Sequence, residues 1–179
     1  MCILKVISDA RPIEDMLNYI FREDAITPYN LTATFHASPA KWEQCYTLSK
    51  MYWHQNYATQ YRQIIWSPDP SSDPYISYTQ SLEENERILS AIYHAMYQIG
   101  ELFAYYHGGK YYTAMALHVK PWQEKECIHT HFIMDTINWE NGTRLCLSRA
   151  DLYRMKQEIN EILISYDLTP IRQYNHSET

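Results

Sequence analysis

His118, His129 and His131 are the residues of this chain best suited to chemistry. If 112–119 and 128–137 are two strands, the two-residue repeat of a pleated strand puts His129 and His131 on one face. A hairpin between the strands then carries His118 alongside them. Three imidazoles on one side of a sheet can bind a divalent metal ion and leave a coordination position open for a reactant. A His-x-His pair by itself is more often a solvated strand face. The third histidine on the preceding strand turns the pattern toward a metal. Cys127, two residues ahead of His129, offers an alternative Cys-His-His set that would favour zinc. The three-histidine set is the preferred reading.

Two tyrosines stand where they could act as nucleophiles. Tyr19 lies at the flank of an apolar stripe formed by Ile13, Met16, Leu17, Ile20 and Phe21. Tyr153 has Lys156 one helical turn on, and a nearby positive charge can activate a phenol. Each also has an ordinary reading. Tyr19 suits a half-buried packing position, and Tyr-x-x-Lys arises easily by chance among seventeen tyrosines. With only 4 glycines, phosphate-binding loops and dinucleotide fingerprints are excluded. No Gly-x-Ser-x-Gly elbow is present.

The elements that must position these residues follow from patterning. Residues 3–8 read as a first strand, and Pro12 suits the first turn of a helix of about ten residues. Residues 31–37 alternate as a second strand. Ser38-Pro39 reads as an N-cap with proline at N1, opening a helix to about Asn56. Residues 61–66 form a third strand, and the Ser/Pro/Asp-rich stretch 67–74 is loop. Ser81 with Glu84 makes a capping box for a long helix to about Tyr106, ended by Gly108-Gly109. Residues 111–119 and 127–139 are strands. Asn141-Gly142 is a turn with a return strand at 144–147, and Ser148 or Asp151 caps a last helix to about Tyr166. The fold class is α+β: a single domain with a central antiparallel β-sheet and flanking helices, mainly on one face. The expected domain spans 1–172, with a polar tail at 173–179.

Composition sets the class. At 46% hydrophobic and 20% charged residues, the 179-residue chain has the make-up of a folded soluble domain. No apolar run reaches the length of a membrane helix, and the N-terminus lacks a signal-peptide pattern. The four cysteines suggest neither a disulfide frame nor a Cys-x-x-Cys zinc knuckle, so reduced thiols in a cytoplasm are expected. The net charge of −6 runs against the basic surface of most nucleic-acid binders. Most of that excess lies in residues 61–109, where only Arg62 and Arg87 oppose six carboxylates, away from the histidines.

The chain resembles the relaxases, or plasmid mobilisation nucleases, of the HUH endonuclease superfamily. His129-Thr130-His131 matches the His-hydrophobic-His strand that names the superfamily, with threonine in place of a strictly apolar middle residue. Ala116-Leu117-His118-Val119 matches the preceding strand with its third histidine. Residues 61–68 loosely resemble a strand ending in a Gln-Ser-Phe-like sequence, and 138–143 an Asn-rich turn. The likeness runs from about Lys5 to Arg172. It implies site- and strand-specific nicking of single-stranded DNA at a transfer origin, through a phosphotyrosyl intermediate. The metal ligands would be His118, His129 and His131, with manganese or magnesium ahead of zinc. The nucleophile would be Tyr19, with Tyr29 as the fallback. Replication initiators and single-strand transposases of the superfamily keep their tyrosine after the histidines, where Tyr153 stands. The resemblance also implies accessory relaxosome proteins and a type IV secretion coupling protein as partners. A non-catalytic DNA-binding remnant stays open as a third reading. Relatives usually continue into a further C-terminal region, so a whole protein, an isolated domain and a degenerate copy all remain open.

Overall fold

The computed structural model describes residues 3–9, 11–26, 30–55, 60–69, 71–77, 79–122 and 125–171. Along the chain run β1 (Ile3–Asp9), α1 (Ile13–Ile20), α2 (Glu23–Ile26), β2 (Thr32–Phe35), α3 (Trp42–Tyr52) and β3 (Tyr61–Ser67). They are followed by β4 (Ile76–Ser77), α4 (Leu82–Ala104), β5 (Thr113–Trp122), β6 (Lys125–Asp135) and α5 (Arg149–Ser165). The main sheet has the order β1-β3-β6-β5-β2, and every pairing is antiparallel. The short β4 pairs with the start of β6. The α+β class with a central antiparallel sheet is therefore the observed architecture.

Strand alternation sorts the side chains onto two faces. Ile64 and Trp66 of β3, Met115 and Leu117 of β5, and Ile128, Phe132 and Met134 of β6 join one large core. Two long helices cover that face. On α4, Ile88, Leu89, Ile92, Met96, Ile99 and Phe103 recur at helical spacing, and on α5 so do Met155, Ile159 and Leu163. Close approach needs a glycine on α4: a Cβ at Gly100 would stand 2.5 Å from the ring of Phe35 on β2. The opposite face carries a smaller core, in which Met16, Leu17 and Ile20 of α1 and Trp42 and Tyr46 of α3 pack on Tyr61, Ala114, Ala116 and Ile133. Helices thus lie on both faces, the longer pair on one and the shorter pair on the other, where the sequence predicts them mainly on one face.

Helix ends show where local chemistry decides. Ser81 Oγ accepts from the Glu84 amide at 3.2 Å, and Ser148 and Asp151 form a reciprocal capping box. Pro12 stands at the N-cap of α1 in an extended conformation, one position earlier than the sequence predicts. Ser38 makes no side-chain cap; a 3₁₀ turn at Pro39–Lys41 precedes α3, which stops at Tyr52. The return strand expected at 144–147 is a single bridge between Ile137 and Arg144. The Asn141 side chain instead accepts from the Thr143 amide at 3.0 Å, and Gly142 takes φ +72°. That self-contained turn satisfies backbone groups a longer ladder would otherwise pair.

Candidate active site

The register of the two central strands brings the histidines together. His118 on β5 lies directly opposite His129 on β6, and His131 lies between Ala116 of β5 and Ile65 of β3. Ring centroids are 5.1 Å apart for His118 and His129, 4.6 Å for His118 and His131, and 5.0 Å for His129 and His131. One nitrogen from each ring lies within 4.8 Å of the others. His118 and His131 are buried and His129 is half-buried. Among the described residues, this is the cluster that could hold a metal ion. Its donors are three imidazoles and no carboxylate, a set that suits a divalent transition metal.

The helix above the cluster is placed by the residues beneath it. Ala114 and Ala116 present only methyl groups on the histidine face of β5, so α1 can settle close to the strand. The Ile20 carbonyl, at the end of α1, accepts a hydrogen bond from His118 Nε2 at 2.6 Å. The partial negative charge of a helix C-terminus favours such a donor. With its proton on Nε2, His118 carries its lone pair on Nδ1, the form a ligand requires. His131 has a different partner: Nε2 of Gln63 lies 3.2 Å from its Nδ1. Gln63 is buried on β3.

Tyr19 reaches the same place from the neighbouring residue on α1. Its ring lies edge-on to His131 at 5.4 Å and to His118 at 6.2 Å, and it is 40% exposed. The Arg22 guanidinium sits 4.8 Å from the Tyr19 ring centroid. Tyr19, His131, Gln63, Ile65 and Arg11 line one cavity of about 320 Å³. The site thus combines three clustered imidazoles, an accessible phenol, Arg11 in the cavity lining and Arg22 against the phenol ring, where it also pairs with Asp24. Farther along the same sheet face, Lys50 of α3 pairs with the fully buried Asp135. Burial pushes the Asp135 carboxyl up to about 6, against the opposing pull of Lys50, and burial lowers Lys50.

The other residues singled out in the sequence lie elsewhere. Tyr153 is exposed on α5, whose buried side packs on the opposite face of the sheet. Tyr29 and the side chain of Cys127 lie outside the described residues. Sequence reasoning passed over Gln63, Arg11 and Arg22. Gln63 stands in the sequence as a polar residue beside the apolar run Ile64-Ile65-Trp66, which does not reveal that it meets His131. The two arginines flank α1 and carry no pattern of their own.

Comparison with known families bears on most of this chain. The family described as relaxase, MobA/VirD2-like, nuclease domain, matches residues 26–168. The match takes in all three clustered histidines and begins after Tyr19. No curated protein matches the chain. No helix among the described residues is long and apolar enough to cross a membrane. The order of the strands, the paired histidines and the matched span agree, and the chain belongs to the relaxase family with a MobA/VirD2-like nuclease domain.

Proposed function

We propose that this protein nicks one DNA strand at the transfer origin of a plasmid or other mobile element, by metal-assisted transesterification with Tyr19 as the nucleophile. Family membership supports DNA nicking in mobilisation in general, and with it the binding of single-stranded DNA. The observation that carries the finer reading is the half-exposed Tyr19 ring, 5.4 Å from the His131 ring and sharing a cavity with it.

His118, His129 and His131 would hold the cation. When bound, a divalent metal supplies Lewis acidity that offsets charge developing on the oxygens of the scissile phosphate. All-imidazole ligation suits a transition-metal cation such as zinc better than magnesium, which shifts the expected order of manganese or magnesium ahead of zinc. Tyr19 Oη attacks phosphorus and gives up its proton. The bond from phosphorus to the 3′ oxygen breaks, and that oxygen leaves as a 3′-hydroxyl after gaining a proton. The strand's 5′ end stays joined to Tyr19 as a phosphodiester. One phosphodiester replaces another, so a 3′-hydroxyl can later reverse the step. Arg11 brings positive charge to the cavity, where a polyanion must approach a chain of net charge −6. Accessory relaxosome proteins and a secretion coupling protein are the partners this reading calls for, in a cytoplasmic setting.

The test is a gel assay with a labelled pool of single-stranded oligonucleotides and manganese. A covalent protein–DNA band is expected for the wild type and for Tyr153→Phe, and none for Tyr19→Phe. A band kept in Tyr19→Phe and lost in Tyr153→Phe would overturn the assignment in favour of an initiator-like nuclease. Binding with no band in any form would point to a non-catalytic DNA-binding protein.

A further inference from the structure

We infer that Gln63 is a positioning residue for His131: its carboxamide selects which ring nitrogen faces the cation and so sets metal affinity. The inference rests on the reading of the three histidines as a metal centre. Gln63 is 4% exposed and His131 2%, so both partners of the contact are buried. Gln63 stands on β3 beside the strand that carries His131, two residues before Ile65, the cross-strand partner of His131. Its side chain lies against Nδ1 of His131 at 3.2 Å. That contact leaves Nε2 as the nitrogen for a cation.

A neutral imidazole that ligates through Nε2 carries its proton on Nδ1, and that N–H needs an acceptor. Gln63 can provide one by a half-turn of its carboxamide, which brings Oε1 to Nδ1. In the orientation seen here Nε2 of Gln63 faces Nδ1, which matches the other tautomer, with the imidazole proton on Nε2. Glutamine is therefore able to serve both forms of the ring. A carboxylate at this position would serve only the ligating form, and an aliphatic side chain neither. His118 differs, because a backbone carbonyl only accepts, and the Ile20 carbonyl holds that ring ready to ligate through Nδ1. A neutral amide also adds no negative charge beside the cation, so more of the cation's charge remains to act on a bound phosphate.

The experiment titrates Co²⁺, a visible-absorbing probe, into the wild type, Gln63→Leu and Gln63→Glu without DNA. Absorbance and calorimetry follow binding, and thermal unfolding checks the fold. Gln63→Leu is expected to bind cobalt about 10–100-fold more weakly than the wild type. Gln63→Glu should bind at least as tightly as the wild type. A folded Gln63→Leu that binds within twofold of the wild type overturns the inference and leaves the metal centre standing. If Gln63→Leu does not fold, Gln63→Glu decides, and weaker binding than the wild type overturns it. A wild type that takes up no cobalt overturns the metal centre itself, and the inference with it.

Discussion

His118 donates its Nε2 proton to the Ile20 carbonyl at 2.6 Å, so one hydrogen bond joins a proposed metal ligand to the residue next to Tyr19. The ligand's tautomer and the seat of the proposed nucleophile are set by the same contact. Anything that fixes the His118 ring also restrains the last turn of α1.

Metal binding should therefore be felt in that helix. Addition of manganese to the wild type is expected to slow amide exchange across residues 16–22 several-fold, because ordering the ring removes a route to local opening. His118→Ala should exchange faster there and show no response to manganese. Hydrogen-exchange mass spectrometry reads both, and an unresponsive α1 in the wild type would refute the coupling.

The Lys50–Asp135 pair gives a stability prediction. Lys50→Met leaves a carboxylate buried without its counter-ion and should cost about 3–5 kcal/mol. Adding Asp135→Asn to that variant should restore a substantial part of the loss, since the stranded charge is then gone. Urea unfolding of the two variants and the wild type is the measurement; additive losses would show that the charges act independently.

Asp135 also fixes the sign of a pH effect. Its folded value, about 6, lies above the ordinary carboxylate value near 4. Between those values the folded protein holds the proton more tightly than the unfolded chain does. This contribution to stability is complete below pH 4 and is lost as pH rises through 6. Relative to Asp135→Asn, the wild type should lose about 1–3 kcal/mol between pH 4 and pH 7. A flat difference across that range would mean that the carboxylate is not desolvated as described.

Gly100 supplies a packing test. Gly100→Ala drives a methyl group into Phe35 and should destabilise by about 1–3 kcal/mol. Phe35→Leu introduced with it should recover part of the loss by making room. Thermal unfolding decides, and a neutral Gly100→Ala would show that β2 and α4 can separate freely.

The histidines were legible in the sequence because their geometry is local. A two-residue repeat places His129 and His131 on one face whatever the rest of the chain does, and a short hairpin brings His118 beside them. The long helices were legible for the same reason, through Ser81, Ser148 and the apolar spacing that follows each. Gln63 was not, because its meeting with His131 depends on how β3 registers against β6 across 68 positions of chain. Nor was the Ile20 contact, since a backbone carbonyl leaves no mark in a sequence. The assignment of Trp42 and Tyr46 to the smaller core depends on which way the chain crosses after β2, which their spacing does not encode.

The sheet is covered unequally, by long α4 and α5 behind and by short α1 and α3 in front. Durability and access are thereby assigned to different halves of the molecule. The eight-residue α1, which carries Tyr19 and meets His118 through the Ile20 carbonyl, packs on the front face apart from the thick rear layer. A change confined to the front layer therefore leaves the core behind the sheet intact.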